Sequence, residues 1–322
     1  MSHCASLGKQ SPPGGHGLPE AALVDLHVHS TASDGTDAPE VLGGLAAAQG
    51  IAALALCDHD TVDGLERFEA GCRDAGVIAI PSVELSTSLG GHQLHVLAMG
   101  LTGEGRGHVR EFLEGMRRRR HERNVEMVER FRQQGMNVDL EAVSRLAGGQ
   151  VIARPHFARL LLERGYVKDL QEAFARWLTP GCPTYVPKRK ATPEEVVTAI
   201  HEAGALAIAA HPNSLTGEGH DILHGLEELG KLPFDGVEAF HPNMKPEWTR
   251  VALGFARRRN LLVSGGSDYH GTFKEGIRLG CAAGGKGIVA REVAELLGRL
   301  GHPVAGYPSP DHAGGAPRIC RG

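Results

Sequence analysis

The feature that most limits how this chain can fold is a repeated pairing of a short apolar run with a helical pattern. Residues 23–28, 51–57, 77–83, 94–99, 205–210, 235–240 and 261–265 are short runs dominated by Val, Leu, Ile and Ala. Runs of that length, bounded by polar residues, read as buried strands. Amphipathic patterns fall near 39–49, 63–75, 192–203, 221–230, 246–259 and 289–300. Strands that alternate with helices make βαβ units, so the spacing predicts an α/β fold with a parallel sheet or barrel.

The rhythm stops between 105 and 190. That stretch reads as helices near 107–134, 139–147, 155–165 and 169–178, with no strand pattern. The expected organisation is a core of 22–104 and 191–302, a helical insertion of 105–190, a disordered leader of 1–21 and a disordered tail of 303–322. The two ends are rich in Gly, Pro and polar residues, which bury too little apolar surface to order a chain. In the first inserted helix, Val109, Phe112, Leu113 and Met116 form an apolar stripe that resumes at Val125, Val128 and Phe131. Between them lies RRRRHERN (117–124), with Arg120 and Arg123 where the stripe should continue. The turn is either a solvated charged surface or a face turned toward a phosphate.

The apolar runs share a second property: they end on metal-binding residue types. Asp25, His27, His29 and Ser30 close the first, and Asp58, His59 and Asp60 the second. Glu84 closes the third, His211 the run 205–210, and Glu238 with His241 the next. Ser267, Asp268, Tyr269 and His270 follow the last. In α/β barrels the carboxyl ends of successive strands share one mouth, so these groups should meet there. His27 and His29 are alternate strand residues and point to the same side. Taken singly, each has an ordinary explanation; an Asp-His-Asp, for example, can cap a helix. Their recurrence at strand ends predicts a metal centre. Nitrogen and oxygen donors without thiolate suit Mn, Fe or Zn.

Composition narrows the alternatives. The 34 basic and 38 acidic side chains leave a formal charge of −4, which is no general nucleic-acid footprint. The six cysteines contain no CxxC pair, so neither a thiolate zinc site nor a disulfide framework is expected. No apolar run is long enough to cross a bilayer, and the first residues lack the apolar core of a secretory signal, so a cytoplasmic setting is expected. There is no GxSxG and no Walker A loop to support a covalent serine route or nucleotide-triphosphate coupling.

DLHVHS (25–30), CDHDTVDG (57–64), PSVE (81–84), HVLAMG (95–100), AAHP (209–212), GVEAFHP (236–242) and GGSDYHG (265–271) occur in that order. They resemble the polymerase-and-histidinol-phosphatase (PHP) family over about residues 23–300. ARPHFARLLLERGYV (153–167), EAFARWL (172–178) and the stretch 183–212 are similar to stand-alone members that act on nucleoside 3',5'-bisphosphates and short 5'-phosphorylated RNA. The resemblance implies a distorted (β/α)7 barrel, with the helical insertion capping the active site, and two or three divalent cations, manganese favoured over iron or zinc. It implies one cation on His27, His29, Glu84 and Asp268, a second on Glu84, His95 and His211, and a third on Asp34, His59 and His270. Asp34 stands where other branches carry His. His92 is a neighbouring alternative to His95, which is preferred because it leads into VLAMG.

The resemblance further implies substrate contacts from Arg154 and His156, although Pro155 also suits an ordinary helix start. Arg120 and Lys188 are further basic candidates, Lys188 within a possible surface loop. His241, His270 and Asp268 are the candidate catalytic groups, with His241 or His270 supplying a proton. The implied reaction is hydrolysis of the 3'-phosphate of a nucleoside 3',5'-bisphosphate by water that the cations activate. The alternative is 5'-to-3' exoribonuclease action at the same site. Histidinol-phosphate hydrolysis is a further reading, against which the long insertion and the RPH segment argue. A non-enzymatic module is opposed by the complete ligand set. The expected partner is a small nucleotide or short RNA, not duplex DNA or a membrane, and a monomer is preferred.

Overall fold

The computed structural model describes residues 17–148, 152–187, 190–216 and 222–307. These fall into two compact units, one drawn from residues up to 110 and from 191 onward, the other from 111–190.

The chain enters the first unit through β1 (Leu23–Val28), α1 (Pro39–Ala48), β2 (Ile51–Leu56), α2 (Leu65–Ala75), β3 (Ile78–Leu89) and β4 (His92–Met99). Helix α3 (Gly103–Gln133) carries it into the second unit, which holds α4 (Leu140–Ala147), α5 (Arg154–Glu163) and α6 (Leu170–Ala173). The last continues as a π-helical turn at Phe174–Leu178. The return brings α7 (Pro193–Glu202), β5 (Leu206–Ala209), α8 (Ile222–Leu229), β6 (Gly236–Phe240), α9 (Pro246–Arg259), β7 (Leu262–Gly265) and α10 (Ala294–Arg299). The helix expected over 289–300 is split: a 3-10 turn at Ala290–Val293 precedes α10.

The seven strands lie in the order of the chain. All neighbouring pairs are parallel except those of β4, which is antiparallel to both β3 and β5. The departure comes from the Gly90-Gly91 turn. Their φ angles of 57° and 87° are the left-handed pair that a two-residue hairpin needs. The hairpin also corrects the expectation that Glu84 closes the third strand. β3 runs on to Leu89, and Glu84 sits within it opposite Leu97.

The sheet curls until its ends meet. The His29 amide donates to the Tyr269 carbonyl at 2.9 Å, and the Asp268 amide to the His27 carbonyl at 2.8 Å. This closes the distorted seven-stranded barrel and sets the segment after β7 beside the end of β1. The approach requires glycine at 266, because a Cβ there would run into the His27 backbone. Inside, Val24, Leu26, Ile80, Leu97 and Ile208 pack with Val293, Leu296 and Leu297 at the C-terminal end of the chain. Each such side chain contributes about 1.5–3 kcal/mol on burial.

The expected disorder does not extend to residues 17–21 and 303–307. Leu18 donates to the Pro303 carbonyl and accepts from the Ala305 amide, each at 2.8 Å, and Val304 is buried. Residues 17–21 and 303–307 are therefore part of the fold, and the remainder of each end lies outside the described residues.

The second unit has its own core, in which the Phe131 and Phe157 rings stack with centroids 6.0 Å apart. Asp139 caps α4 by accepting the Ala142 amide at 2.7 Å. Arg123 breaks the apolar stripe because its buried guanidinium has acceptors within the unit. It is only 9% exposed, its Nε donates to the Val186 carbonyl at 3.1 Å, and its Nη1 donates to Asn124 Oδ1 at 3.0 Å.

Candidate metal centre

The mouth of the first unit gathers seven imidazoles: His27, His29, His59, His95, His211, His241 and His270. Strand geometry explains the first pair. His27 and His29 leave the end of β1 on the same side, and their Nε2 atoms lie 3.1 Å apart. Glu84 Oε2 is 3.4 Å from His27 Nε2 and 3.3 Å from His29 Nε2. Asp268 Oδ1 is 3.7 Å and 3.3 Å from the same two atoms. Donors that share one cation at about 2.1 Å are themselves about 3.0–3.4 Å apart, a spacing matched by Glu84 Oε2 against both imidazoles and by Asp268 Oδ1 against His29.

The other oxygen of Glu84 serves a second group. Its Oε1 lies 2.9 Å from His95 Nδ1 and 2.9 Å from His211 Nε2. A third group forms around Asp34, with Oδ1 3.3 Å from His270 Nε2 and Oδ2 3.8 Å from His59 Nε2. Among the described residues, three sets have donor atoms close enough for one ion: His27, His29 and Asp268; His59, Glu84 and His95; and His29, Asp34, His59 and His270. His59 thus stands between the second and third groups, with Nδ1 3.1 Å from Glu84 Oε2.

The polar accounting of these groups fits cations. His29 Nδ1, His59 Nδ1 and Glu84 Oε2 are buried without a hydrogen-bond partner among the described residues. Buried polar atoms are otherwise almost always paired. The ring tautomers agree. His270 Nδ1 is 2.8 Å from the Asp268 carbonyl, and His27 Nδ1 is 3.0 Å from Glu238 Oε1. A proton on each Nδ1 leaves the Nε2 lone pair facing the cluster. Burial pushes the His59 imidazole down to about 4, which keeps it neutral and able to ligate near pH 7. Burial pushes the Glu84 and Asp268 carboxyls up. Glu84 is nevertheless held well below its ordinary value, chiefly by its electrostatic interaction with His27 and by hydrogen bonding from His211. His241 and His29 do the same for Asp268.

The backbone is strained where candidate ligands are presented. His211 and Asp268 have φ of 25° and 53°, and Asp60, beside His59, has 49°. Non-glycine residues seldom adopt this region and persist there when surrounding bonds over-determine them. At Asp268 those bonds run through Asp25, which is fully buried and accepts from the Ser267 amide at 2.8 Å and the Ser267 hydroxyl at 2.6 Å. Asp58 plays the same part for the loop after β1, accepting from Ser30 N, Ser30 Oγ and Ser33 Oγ.

A profile described as the PHP domain matches residues 25–178, which include the β1, β2 and β3 donors. A 3',5'-nucleoside bisphosphate phosphatase of Chromobacterium violaceum is 34% identical over 263 residues, spanning 77% of this chain and 87% of the relative. The chain belongs to the PHP domain family. The 5'-3' exoribonuclease Rnm of Escherichia coli, another relative of this PHP chain, is 31% identical over 252 residues, covering 78% and 86% of the two chains. A solved structure from Bifidobacterium adolescentis, assigned as a metal-dependent phosphoesterase, superposes with a TM-score of 0.58 at 28% identity, covering 90% of this chain and 98% of its own. The protein is accordingly a PHP phosphoesterase whose donor set suits divalent cations.

Of the two histidines weighed near residue 95, His95 is the one against Glu84, and Gln93 holds its other ring nitrogen at 2.6 Å. In the second unit, Arg154 Nη1 donates to the Leu178 carbonyl at 3.1 Å, and its guanidinium lies 5.9 Å from the Tyr185 ring centroid. His156 accepts the Ala153 amide on Nδ1 at 3.0 Å, at the start of α5. Arg120 is half-buried on α3, and Lys188 lies outside the described residues. Sequence reasoning placed Glu238 among the strand-end groups but gave it no place in the ligand set; it is fully buried, lies against His27 Nδ1 and accepts the His211 amide at 2.8 Å. It also passed over Lys274, whose amine donates to Asp268 Oδ2. The Glu in GVEAFHP was a readable signal for the former; nothing in GTFKEG marked the latter.

Proposed function

We propose that this PHP phosphoesterase removes the 3'-phosphate of nucleoside 3',5'-bisphosphates, such as adenosine 3',5'-bisphosphate, and leaves the 5'-nucleotide. The observation that carries the reading is Glu84, which offers one oxygen to the His27–His29 pair and the other to His95 and His211. Such a carboxylate is suited to bridging two cations on one phosphate, the arrangement of two-metal phosphoester hydrolysis. His27, His29, Glu84 and Asp268 would hold the first cation, Glu84, His95 and His211 the second, and Asp34, His59 and His270 the third, with manganese the preferred ion. Bound there, the cations supply Lewis-acid charge and an acidified water.

The chain's own residues account for the rest. His241 accepts the Asn243 amide on Nδ1 at 3.1 Å, so its neutral ring carries hydrogen on Nε2, 3.4 Å from Asp268 Oδ2. That hydrogen is available to a leaving alkoxide. Arg154 offers a planar fork for phosphate oxygens. Arg120, His156 and Lys188 are the further candidates for contact with the 5'-phosphate. The relatives named for bisphosphate phosphatase and exoribonuclease activity support this substrate class and favour one second reading, the release of nucleotides from short 5'-phosphorylated RNA. Both fit a monomeric cytoplasmic enzyme.

Phosphate release from a panel of nucleoside bisphosphates, with manganese added and a chelator as control, tests the proposal. A 5'-phosphorylated oligoribonucleotide run in parallel separates the two readings. His29→Ala and Asp268→Asn should each lower turnover by roughly a hundredfold or more without unfolding the chain. Near-normal rates in either would contradict the ligand assignment.

A further inference from the structure

The two oxygens of Asp268 face different chemistry. Oδ1 lies 3.3 Å from His29 Nε2, 3.5 Å from His270 Nδ1 and 3.7 Å from His27 Nε2. Oδ2 faces His241 and accepts from the Lys274 amine. One oxygen is thus turned to the candidate ligands, and the other is shared between a neutral donor and a fixed positive charge.

Lys274 is also a wall of empty space. A cavity of about 240 Å³ is lined by His59, Glu84, His95, His211, His241 and Lys274, among others. A second of about 300 Å³ is lined by Pro242, Ser267, Glu275 and Ile277. His241, Asn243, Asp268 and Lys274 border both, so the two are adjoining lobes of one cleft. The first lobe holds the ligand cluster. The second mixes apolar Pro242 and Ile277 with polar Asn243 and Glu275, a lining that suits a sugar ring and its hydroxyls.

The lysine is held in place rather than loosely attached. It follows a 3-10 turn, Gly271–Phe273, that is pinned to the loop after β1. The Thr272 amide donates to Thr36 Oγ1 at 2.9 Å, and the Tyr269 hydroxyl to Asp37 Oδ2 at 2.9 Å. Gly271 has φ of 70°, and a Cβ there would collide with Thr36 Oγ1. The wall of the first lobe also presents two unpaired polar atoms. Asn213 Oδ1 and Ser214 Oγ are buried there without a hydrogen-bond partner among the described residues.

We infer that Lys274 grips the scissile phosphate at the border of the two lobes, and that the second lobe receives the sugar on that phosphate. The inference rests on the phosphoester-hydrolase reading of this site. Once cations neutralise the carboxylates, the cleft is positive and its proper guest is an anion. An ammonium is a compact point charge with three donors, well matched to a phosphate oxygen. Lys274 can pass from Asp268 Oδ2 to that oxygen by turning its own side chain, while the Ser214 hydroxyl offers an uncharged donor on the same wall and Asn213 Oδ1 an acceptor for a substrate hydroxyl. Lys274 is therefore a substrate-binding residue and no metal ligand.

The test compares manganese-loaded wild type with Lys274→Met and Lys274→Arg. Inorganic phosphate is titrated in by calorimetry, and bound metal is counted by elemental analysis. Lys274→Met should keep its metal and bind phosphate about tenfold or more weakly, since a charged hydrogen bond is worth about 1.5–3 kcal/mol. Lys274→Arg should stay within a few fold of wild type. Phosphate binding unchanged in Lys274→Met, or absent from wild type, overturns the inference. So does loss of metal in Lys274→Met, which would make the lysine a counter-charge for Asp268 alone. Because the probe is inorganic phosphate, a failure of the nucleoside bisphosphate reading would leave this result standing.

Discussion

Asp25 and Ser267 are 242 residues apart in sequence and are joined by two hydrogen bonds, one from the Ser267 amide and one from its hydroxyl. This link ties the start of the barrel to its last loop and fixes where Asp268, the next residue, emerges.

Replacing Asp25 should therefore cost both stability and metal. The carboxylate also accepts the Gly280 amide at 2.7 Å, so Asp25→Ala leaves several buried donors unpaired. Each unpaired buried donor costs about 1–3 kcal/mol. Thermal unfolding of Asp25→Ala should shift down by about 5 °C or more. A shift within a degree of wild type would show that the link is dispensable.

Glu238 sits behind His27 and carries a charge the ring nitrogen can lean on. Glu238→Gln keeps the shape and removes that charge. Manganese affinity, measured by competition with a chromophoric chelator, should fall about 10–100-fold. Unchanged affinity would mean that His27 is oriented by packing alone.

Asp34 is 48% exposed and belongs to the third donor group, whereas Glu84 and Asp268 serve the more buried ones. In Asp34→Ala, elemental analysis should find about one metal equivalent fewer per chain, with the ions on Glu84 retained. Full occupancy in that variant would remove Asp34 from the ligand set.

Asp139 supplies a pH-dependent contribution in the second unit. The Ala142 amide, and after it the Arg164 guanidinium, hold its carboxyl below the ordinary value. A folded-state value below the unfolded one means stabilisation that is complete above about pH 4 and lost as pH falls through the folded value. Asp139→Ala should thus destabilise α4 by about 1 kcal/mol at pH 7, and the gap to wild type should narrow near pH 3. Melting curves at the two pH values check this; a gap that does not change with pH would count against the cap.

Legibility varied with the range of the interaction. The seven strands lie within a few residues of their apolar runs, because buried strands are written locally in Val, Leu, Ile and Ala. Strand ends were harder. Ser86, Thr87 and Ser88 look like a loop, yet β3 continues through them because β4 pairs across the hairpin. Arg123 looked out of place on an apolar stripe because its partner, the Val186 carbonyl, is 63 residues away. Lys274 carried no signal at all, since an isolated lysine after a glycine turn is ordinary until Asp268 is found beside it.

By itself, the sequence determined which chemistry this protein can perform: imidazoles and carboxylates placed at the ends of apolar runs, and an ordered set of PHP motifs around them. Only the tertiary structure decided how those groups divide. Glu84 faces two ligand groups with its two oxygens, and Asp268 turns one oxygen to the histidines and the other to Lys274. Residue type and periodicity are local properties of a chain. The direction of a carboxylate oxygen is set by strand register and barrel closure, which depend on hydrogen bonds between residues far apart in sequence.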